Sequence, residues 1–576
     1  MFSNKLHVNI LTALLLKHDV HHAVVCPGSR NAPIVHNLNE VDGITCYPVT
    51  DERSAGFYAL GMCQLTHEPV VLCVTSGTAL LNTLPAVAEA YYQHQPLIVI
   101  SADRPAEWID QMDGQTIPQP GALRQFVRKA VNLPEGNTDR DQWYCSRLVN
   151  EALIASKSHA GGPVHINVAL SDPLYEYTEE ELPESCKIEL FDATDGPKNL
   201  EPLMERLLNA EHPMIVIGQM KDNALQEDNV QKAGLQAVVL KESLSPYCNM
   251  ETHFDEVLAR SGQLDGLRPD VVLYLGDEIV SKRLKNFLRT SDCEVWTVND
   301  DGGIYDTFCH LRGVIECNPT VFFRLFDNFM HTRDISSMQE LPACGQNGSD
   351  SDTDIMPERV NPSARDFIIK WKNVLQQASL YALEFQPDYS SMATVKYLEE
   401  QLEDMEYNCR IHFGNSLSVR LANIYAGHYV YCNRGINGIE GSLSTAAGMA
   451  AVTEDMVFCI LGDLSFFYDQ NALWNQNLKG NLRVIILNNH AGAIFGKFEG
   501  LCESAARDKL IMARHEREAQ GICTQNDCGY LKATNMEEMQ LGIVQMLTMQ
   551  TKRPVVLEVF TDAETDIQQL KNYFGK

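Results

Sequence analysis

Short runs of wholly apolar residues recur along this chain with helix-length segments between them, and that rhythm leaves few folds open. The opening third reads as a helix over 5–18, a strand HAVVC (22–26), a helix from Glu52, a strand at 70–75, a helix from Thr78, the strand LIVIS (97–101) and a last strand VHINVAL (164–170). PMIVIG (213–218), QAVVL (236–240), DVVLYLGD (270–277) and CEVWTVN (293–299) repeat the pattern in a second block that ends near 330. A third block runs through CRIHFG (409–414), HYVYCN (428–433), MVFCILGD (456–463), VIILNN (484–489) and PVVLEVF (554–560). Strands alternating with helices predict parallel sheets covered on both faces. The fold class is therefore α/β, built as three doubly wound parallel-sheet domains. Their bounds are set at 1–185, 190–342 and 365–576, with 343–364, rich in Ser, Asp, Asn, Gly and Pro, as an exposed linker.

With 576 residues and 45% apolar content, each block can bury a core of its own. No apolar stretch approaches the roughly 20 residues of a membrane-spanning helix, and no basic-then-apolar leader opens the chain, which predicts a soluble, cytoplasmic protein. The 76 acidic residues outnumber 46 basic ones, and the resulting charge of −30 repels nucleic acid and anionic membrane. Arginines inside motifs carry more information than usual in this background, because small anionic ligands need cations gathered locally. Seventeen cysteines, an odd number without CxxC spacing, read as reduced core residues, with Cys73 and Cys459 inside apolar runs. No GxGxxG follows a strand within 200–330, so neither flavin nor nicotinamide is expected in the middle block.

Ligands of open α/β sheets gather at the carboxyl ends of strands. Two strands of the third block end in Gly462–Asp463 and Asn488–Asn489, with Asn489 lying 26 residues beyond Asp463. Either dipeptide alone can end a strand simply as a turn former. Together, on neighbouring parallel strands, they gather oxygen ligands suited to a hard divalent cation that bridges carboxylate and diphosphate. In the first block Glu52 opens a helix of small and apolar residues, TDERSAGFYALGM (50–62), where a carboxylate also complements the helix dipole.

The GD-to-NN pair, with Leu464 in place of the usual third Gly, resembles the metal and diphosphate motif of thiamine-diphosphate enzymes, and residues 50–62 with 70–105 resemble their pyrimidine-binding domain. CPGSRNAPI (26–34), ADRP (102–105), GNSLSVRLAN (414–423), RGINGIEGSLSTAAG (434–448) and GDLSF (462–466) narrow the resemblance. Together they are similar to the 2-succinyl-5-enolpyruvyl-6-hydroxy-3-cyclohexene-1-carboxylate synthase family of menaquinone synthesis. The similarity covers nearly the whole chain and is weakest in the middle block and the linker. It implies a fold of the thiamine-diphosphate enzyme type, with 1–185 binding the pyrimidine and 365–576 the diphosphate and metal.

The same resemblance implies an activity: decarboxylation of 2-oxoglutarate and conjugate addition of the resulting carbanion to isochorismate. It implies thiamine diphosphate with Mg²⁺ or Mn²⁺ as cofactors, and a homodimer or homotetramer with active sites between subunits. Glu52 matches the acid that bonds the aminopyrimidine N1′, while Asp463, Asn489 and the backbone carbonyl of Ala491 match metal ligands. Gly462, Leu464 and Ser465 match the cofactor-binding turn, Ile439 the apolar wedge that bends the cofactor, and Ile494 and Phe495 its apolar wall. Ser29, Arg30, Arg104, Gln115, Lys282 and Arg283 match residues that hold isochorismate. Ser416, Arg420 and Arg434 match residues that hold the donor and the intermediate made from it, the two arginines with Glu52 being the catalytic set. Guanidinium forks bind carboxylates in pairs, and 2-oxoglutarate keeps a distal carboxylate that pyruvate lacks. The plainer alternative is that these arginines pair with the plentiful acids. His490 departs from the family pattern, which has Asn there. The nearest rival is another thiamine enzyme, an acetohydroxyacid synthase or simple 2-oxo acid decarboxylase; a more distant one is a non-catalytic nucleotide-binding α/β protein.

Overall fold

The computed structural model describes residues 1–190, 200–246, 252–260, 264–338, 361–403, 405 and 408–575. Its strands form three sheets, and every strand pairing within them is parallel. The first contains β1 (His22–Val25), β2 (Thr45–Pro48), β3 (Val70–Val74), β4 (Leu97–Asp103), β5 (Lys129–Leu133) and β6 (Val164–Ala169), ordered β2-β1-β3-β4-β6-β5. From β1 the chain steps outward to β2 and then crosses back to β3. Right-handed crossovers on opposite sides of the starting strand place helices on both faces. Strands β3 and β4 are buried along their whole length, which is why they read as unbroken apolar runs.

The second sheet holds β7 (Pro213–Ile217), β8 (Val238–Lys241), β9 (Val271–Leu275), β10 (Glu294–Asn299) and β11 (Leu311–Glu316), ordered β11-β10-β9-β7-β8. The third holds β12 (Cys409–Phe413), β13 (Met456–Gly462), β14 (Leu482–Asn488), β15 (Gly529–Ala533) and β16 (Val555–Phe560), ordered β12-β13-β14-β16-β15. The α/β class and the three parallel sheets match the expectation from sequence. Two local expectations need correction. HYVYCN forms no strand, only a bridge from Tyr431 to His412, with Phe413 N–H donating to the Tyr431 carbonyl and Tyr431 N–H to that of Ile411. The helix from Thr78 is broken into Thr78–Asn82 and Leu84–Tyr92, because Pro85 has no N–H to continue the hydrogen-bond ladder and instead sits in the first turn of the second helix.

The chain divides into two compact units. Met1–Phe191, Pro387–Ala422 and Val430–Leu570 make up one, which contains the first and third sheets; Asp192–Gln386, Asn423–Tyr429 and Lys571–Lys576 make up the other, which contains the second. Most of the expected linker, 343–360, lies outside the described residues, while Pro362–Ala364 already belong to helix Pro362–Glu384. The sequence bounds put nearly all of that helix at the start of the third domain. Its apolar stripe of Ala364, Phe367, Ile368, Trp371, Leu375 and Ala378 packs instead in the core of the second sheet, and the Trp371 indole donates to the Leu267 carbonyl at 3.0 Å. The stripe decides where such a helix goes, whereas the expected boundary followed the change of composition ahead of it.

Within the first unit, helix Glu52–Thr66 crosses helix Ser442–Ala451 with the backbones in contact. A Cβ on Gly61 would stand 1.9 Å from the Thr445 carbonyl oxygen, and one on Gly448 would stand 1.9 Å from that of Tyr58. The two helices belong to the layers of the first and third sheets, so this crossing helps to join them.

Candidate functional site

Strands β13 and β14 pair with Gly462 opposite Leu487, which brings Asp463 level with Asn488 at the carboxyl edge. The asparagines then divide their work. Asn488 is structural: its amide donates to the Glu558 carboxylate at 2.7 Å and to the Arg517 carbonyl at 3.0 Å. Asn489 donates its amide to Asp566 at 2.7 Å. A carboxylate only accepts, so Nδ2 must face Asp566 and the Asn489 Oδ1 must point away from it. Asp566 is buried and also takes bonds from Ser391 and Thr561, so this orientation is fixed from behind.

Asp463 is 2% exposed. Its Oδ1 accepts from Leu464 N–H at 2.7 Å, but its buried Oδ2 has no hydrogen-bond partner. An uncompensated buried carboxylate oxygen is costly unless a cation completes it. His515 Nε2 lies 3.3 Å away without hydrogen-bond geometry to Oδ2, and its Nδ1 accepts from the Arg517 N–H. Among the described residues no cluster of three or more His, Cys, Asp or Glu side chains could hold a metal. The strand ends offer oxygen instead, the Asp463 carboxylate and the Asn489 amide oxygen, a donor type that suits Mg²⁺ or Mn²⁺; Asn489 Oδ1 accepts from the Ala491 N–H at 3.2 Å and the Ala491 carbonyl from the Ala493 N–H at 2.9 Å. Above Gly462 a Cβ would meet nothing within 4 Å, so the mouth of the nest is open. The orphaned oxygen and the open mouth fit a cation with a diphosphate.

The loops that follow β14 and precede helix Ser442–Ala451 expose apolar side chains. Ile439 is 40% exposed, and Ile436, Phe495 and Phe498 are also left uncovered; Ile494 is half-buried. Ser465 Oγ donates to the Ile439 carbonyl at 2.5 Å, tying the turn after β13 to the loop that carries Arg434. Arg434 is buried, and its guanidinium donates to Asn415 Oδ1 at 3.3 Å. Ser416 takes a left-handed conformation, φ 75°, at the end of β12, and Arg420 is half-buried in helix Leu417–Tyr425. His490 also adopts positive φ, 60°, a conformation that Asn reaches more easily, with its ring against His515 and Phe560.

The carboxyl edge of the first sheet gathers a second group. Ser29 and Arg30 follow β1, Glu52 follows β2, and Arg104 follows β4. Asp51 caps helix Glu52–Thr66 by accepting from Arg53 and Ser54 N–H groups, which leaves the Glu52 carboxyl free of capping duty; it accepts from Asn82 Nδ2 at 3.2 Å. Arg30 is buried and donates to the Leu170 carbonyl at 2.9 Å, with Asp172 at 3.6 Å. Arg104 pairs with Asp113 at 2.8 Å and donates to the Gly114 carbonyl, one residue before the exposed Gln115, φ 56°. Such half-exposed pairs contribute little, so a ligand carboxylate can replace Asp113 at small cost. In the other unit, Arg283 bonds Asp255 and lies 4.1 Å from the Phe574 ring centroid, while Lys282 is exposed.

Asn82, Asn415, Asp566 and His515 escape a reading of the sequence. Each acts through a partner distant along the chain, and none sits in a motif with its own periodicity. Asp469 belongs with them. Wholly buried, it accepts from Ser444 N–H and Oγ at 2.7 and 2.8 Å, and Arg53 stands 3.7 Å away. Burial pushes its carboxyl up to about 6 from 3.8, with the Ser444 bonds and Arg53 opposing and Asp51 adding to the rise. Since the folded value is the higher one, the stability this group lends is complete below about pH 4 and is lost as pH rises through about 6. Between those limits the wild type should lose about 3 kcal/mol more stability than Asp469→Asn. Denaturant midpoints of both proteins across the range check this; parallel curves would refute it.

Among the described residues no helix is long and apolar enough to cross a membrane, and every cysteine is free. Residues 7–123 match the thiamine pyrophosphate enzyme N-terminal TPP binding domain. The 2-succinyl-5-enolpyruvyl-6-hydroxy-3-cyclohexene-1-carboxylate synthase of Bacteroides thetaiotaomicron is 39% identical, covering 100% of this chain and 99% of its own length. The synthase of the same name from Phocaeicola vulgatus is 38% identical with the same coverage. That from Porphyromonas gingivalis is 33% identical over 100% of this chain and 97% of its own. Similarity that runs from end to end includes both carboxyl-edge groups and the helices that join their sheets, and on it the chain belongs to the 2-succinyl-5-enolpyruvyl-6-hydroxy-3-cyclohexene-1-carboxylate synthase family of thiamine-diphosphate enzymes.

Proposed function

We propose that this enzyme decarboxylates 2-oxoglutarate and joins the remaining four-carbon unit to isochorismate, forming 2-succinyl-5-enolpyruvyl-6-hydroxy-3-cyclohexene-1-carboxylate and CO₂. The observation that carries the reading is Asp463 Oδ2, buried at the carboxyl end of β13 without a hydrogen bond, level with the strand end that carries Asn489. Thiamine diphosphate, when bound, supplies the nucleophilic carbon and the electron sink that decarboxylation requires.

The chain's own residues do the rest. Asp463, Asn489 and the Ala491 carbonyl would hold Mg²⁺ or Mn²⁺, and the turn of Gly462, Leu464 and Ser465 would receive the diphosphate. Glu52 holds a proton at the aminopyrimidine N1′. Ile439, Ile494 and Phe495 shape the apolar wall and exclude water. Arg420, Arg434 and Ser416 receive the donor, whose distal carboxylate demands a cation. Ser29, Arg30, Arg104 and Gln115 receive the carboxylates of isochorismate, and Lys282 is the member of its pair with an ammonium left to offer. The active unit is a homodimer or homotetramer whose sites combine residues of two subunits, working in the cytoplasm. The layers built on the first and third sheets bind the two ends of the cofactor.

The test mixes enzyme, Mg²⁺, thiamine diphosphate, 2-oxoglutarate and isochorismate. Isochorismate absorbance should fall with equimolar CO₂ release, and a chelator should stop both. Turnover of pyruvate in place of 2-oxoglutarate would replace this reading with an acetohydroxyacid synthase-like one.

A further inference from the structure

Residues 434–441 carry Arg434 and Ile439 between β12 and helix Ser442–Ala451, and the loop is held from three sides. Asn415 donates to the carbonyls of Asn433 and Gly438 at 2.5 and 2.6 Å, and Ser465 bonds the Ile439 carbonyl. The third anchor reaches in from the first sheet's layer. Glu89, on helix Leu84–Tyr92, is 3% exposed, and its two carboxylate oxygens accept successive backbone N–H groups, Gly435 at 2.6 Å and Ile436 at 2.8 Å. Gln93 Nε2 adds a third bond to Glu89 at 2.5 Å while also donating to the Cys432 carbonyl, and Gln64 holds Gln93 in turn.

Gly435 permits this approach, since a Cβ there would come within 2.9 Å of Tyr92 Cβ and 3.1 Å of Glu89 Oε1. Burial favours the neutral acid at Glu89 and raises its pKa, while the bonds from Gln93, Ile436 and Gly435 oppose that shift. A carboxylate kept where desolvation is expensive is satisfied only when the loop presents both N–H groups at once, so it selects one loop conformation. A neutral side chain would bury more cheaply and select less.

We propose that Glu89 is a positioning residue for the donor half of the reaction: by gripping Gly435 and Ile436 it sets the direction in which Arg434 meets the 2-oxo acid. The proposal rests on the donor role assigned above to Arg434. The acceptor residues Ser29, Arg30, Arg104 and Gln115 stand on loops that Glu89 does not touch, so its effect separates by substrate. In Glu89→Gln an amide oxygen can keep one N–H, but the NH₂ meets the other donor to donor, freeing half of the grip.

The experiment measures KM for each substrate, kcat, the Kd of thiamine diphosphate with Mg²⁺, and thermal stability for wild type and Glu89→Gln. The KM for 2-oxoglutarate should rise about tenfold, with the KM for isochorismate and the cofactor Kd within twofold of wild type. An unchanged donor KM, or both KM values and the cofactor Kd moving in step with a lowered Tm, would overturn the proposal. If Glu89→Gln fails to fold, Gln93→Met removes one donor and leaves the two backbone bonds; a donor-selective KM rise of about threefold supports the assignment, and a uniform change rejects it. A wild-type enzyme that turns over pyruvate and ignores 2-oxoglutarate would reject the donor proposed above, and Glu89 would then be judged by the same split with pyruvate.

Discussion

Glu52→Gln should bind thiamine diphosphate and Mg²⁺ as wild type does and yet lose carboligation by about 10²- to 10⁴-fold, the usual worth of a positioned acid–base group. The helix it opens will survive, because Asp51, not Glu52, accepts the free N–H groups of the first turn. Replacing the carboxyl removes one favourable charge at the helix amino end, worth roughly 0.3–1 kcal/mol, and leaves the side chain isosteric. The Asn82 amide, which donates to the Glu52 carboxylate at 3.2 Å, can donate equally to the carboxamide oxygen that replaces it, so packing is unchanged. What disappears is the ability to hold and release a proton. Cofactor affinity, far-ultraviolet circular dichroism and isochorismate consumption, measured on the same preparation, separate these effects. Activity within a few-fold of wild type would remove Glu52 from the mechanism and leave it as a helix-dipole partner.

Much of this site is legible in the sequence. Asp463 and Asn489 stand at the ends of long, deeply buried strands, whose apolar runs announce both the strand and its terminus; the parallel pairing of β13 with β14 then follows from their order. Glu52 stands out only through the family resemblance, because an acid in a first helical turn by itself reads as a partner of the helix dipole. The strands that go unread, β2, β5, β11 and β15, are all sheet edges, and each is only partly buried. Strands exposed in this way write no apolar run, whereas the other two edges, β8 and β12, are buried more deeply and are legible. Side chains that act from a distance along the chain are equally silent. Glu89 sits in an ordinary helix of small residues, and only the fold reveals that its carboxylate meets the backbone 346 residues later. The arginines show the opposite case: Arg30 and Arg104 are legible as carboxylate binders, and each is found already paired with an acid of its own layer, the arrangement that the acidic composition makes the plainer alternative.

Gly61→Val and Gly448→Val should each cost about 4 kcal/mol or more, at the exceptional end of single substitutions. Elsewhere in a helix, replacing Gly gains several tenths of a kcal/mol in propensity, so the intrinsic effect has the opposite sign. Packing decides the outcome. At both positions a Cβ alone would stand 1.9 Å from a backbone carbonyl oxygen of the facing helix, and backbone cannot rotate aside as a side chain can. The helices must separate, and separation breaks more than one contact. Ser54 Oγ bonds Ser444 Oγ at 2.8 Å, Ser444 satisfies buried Asp469, and Phe57 fills the space over Gly441, where a Cβ would stand 2.2 Å from its ring. Opening the crossing therefore breaks the Ser54–Ser444 bond and draws Arg53 away from buried Asp469, which adds a polar penalty to the steric one. Because both glycines report on one crossing, the double variant should cost less than the sum of the single ones. Denaturant unfolding of the three variants measures this. A Gly61→Val protein within about 1 kcal/mol of wild type would mean that the two helices do not meet backbone to backbone, and that the layers carrying Glu52 and Asp463 are joined by something else.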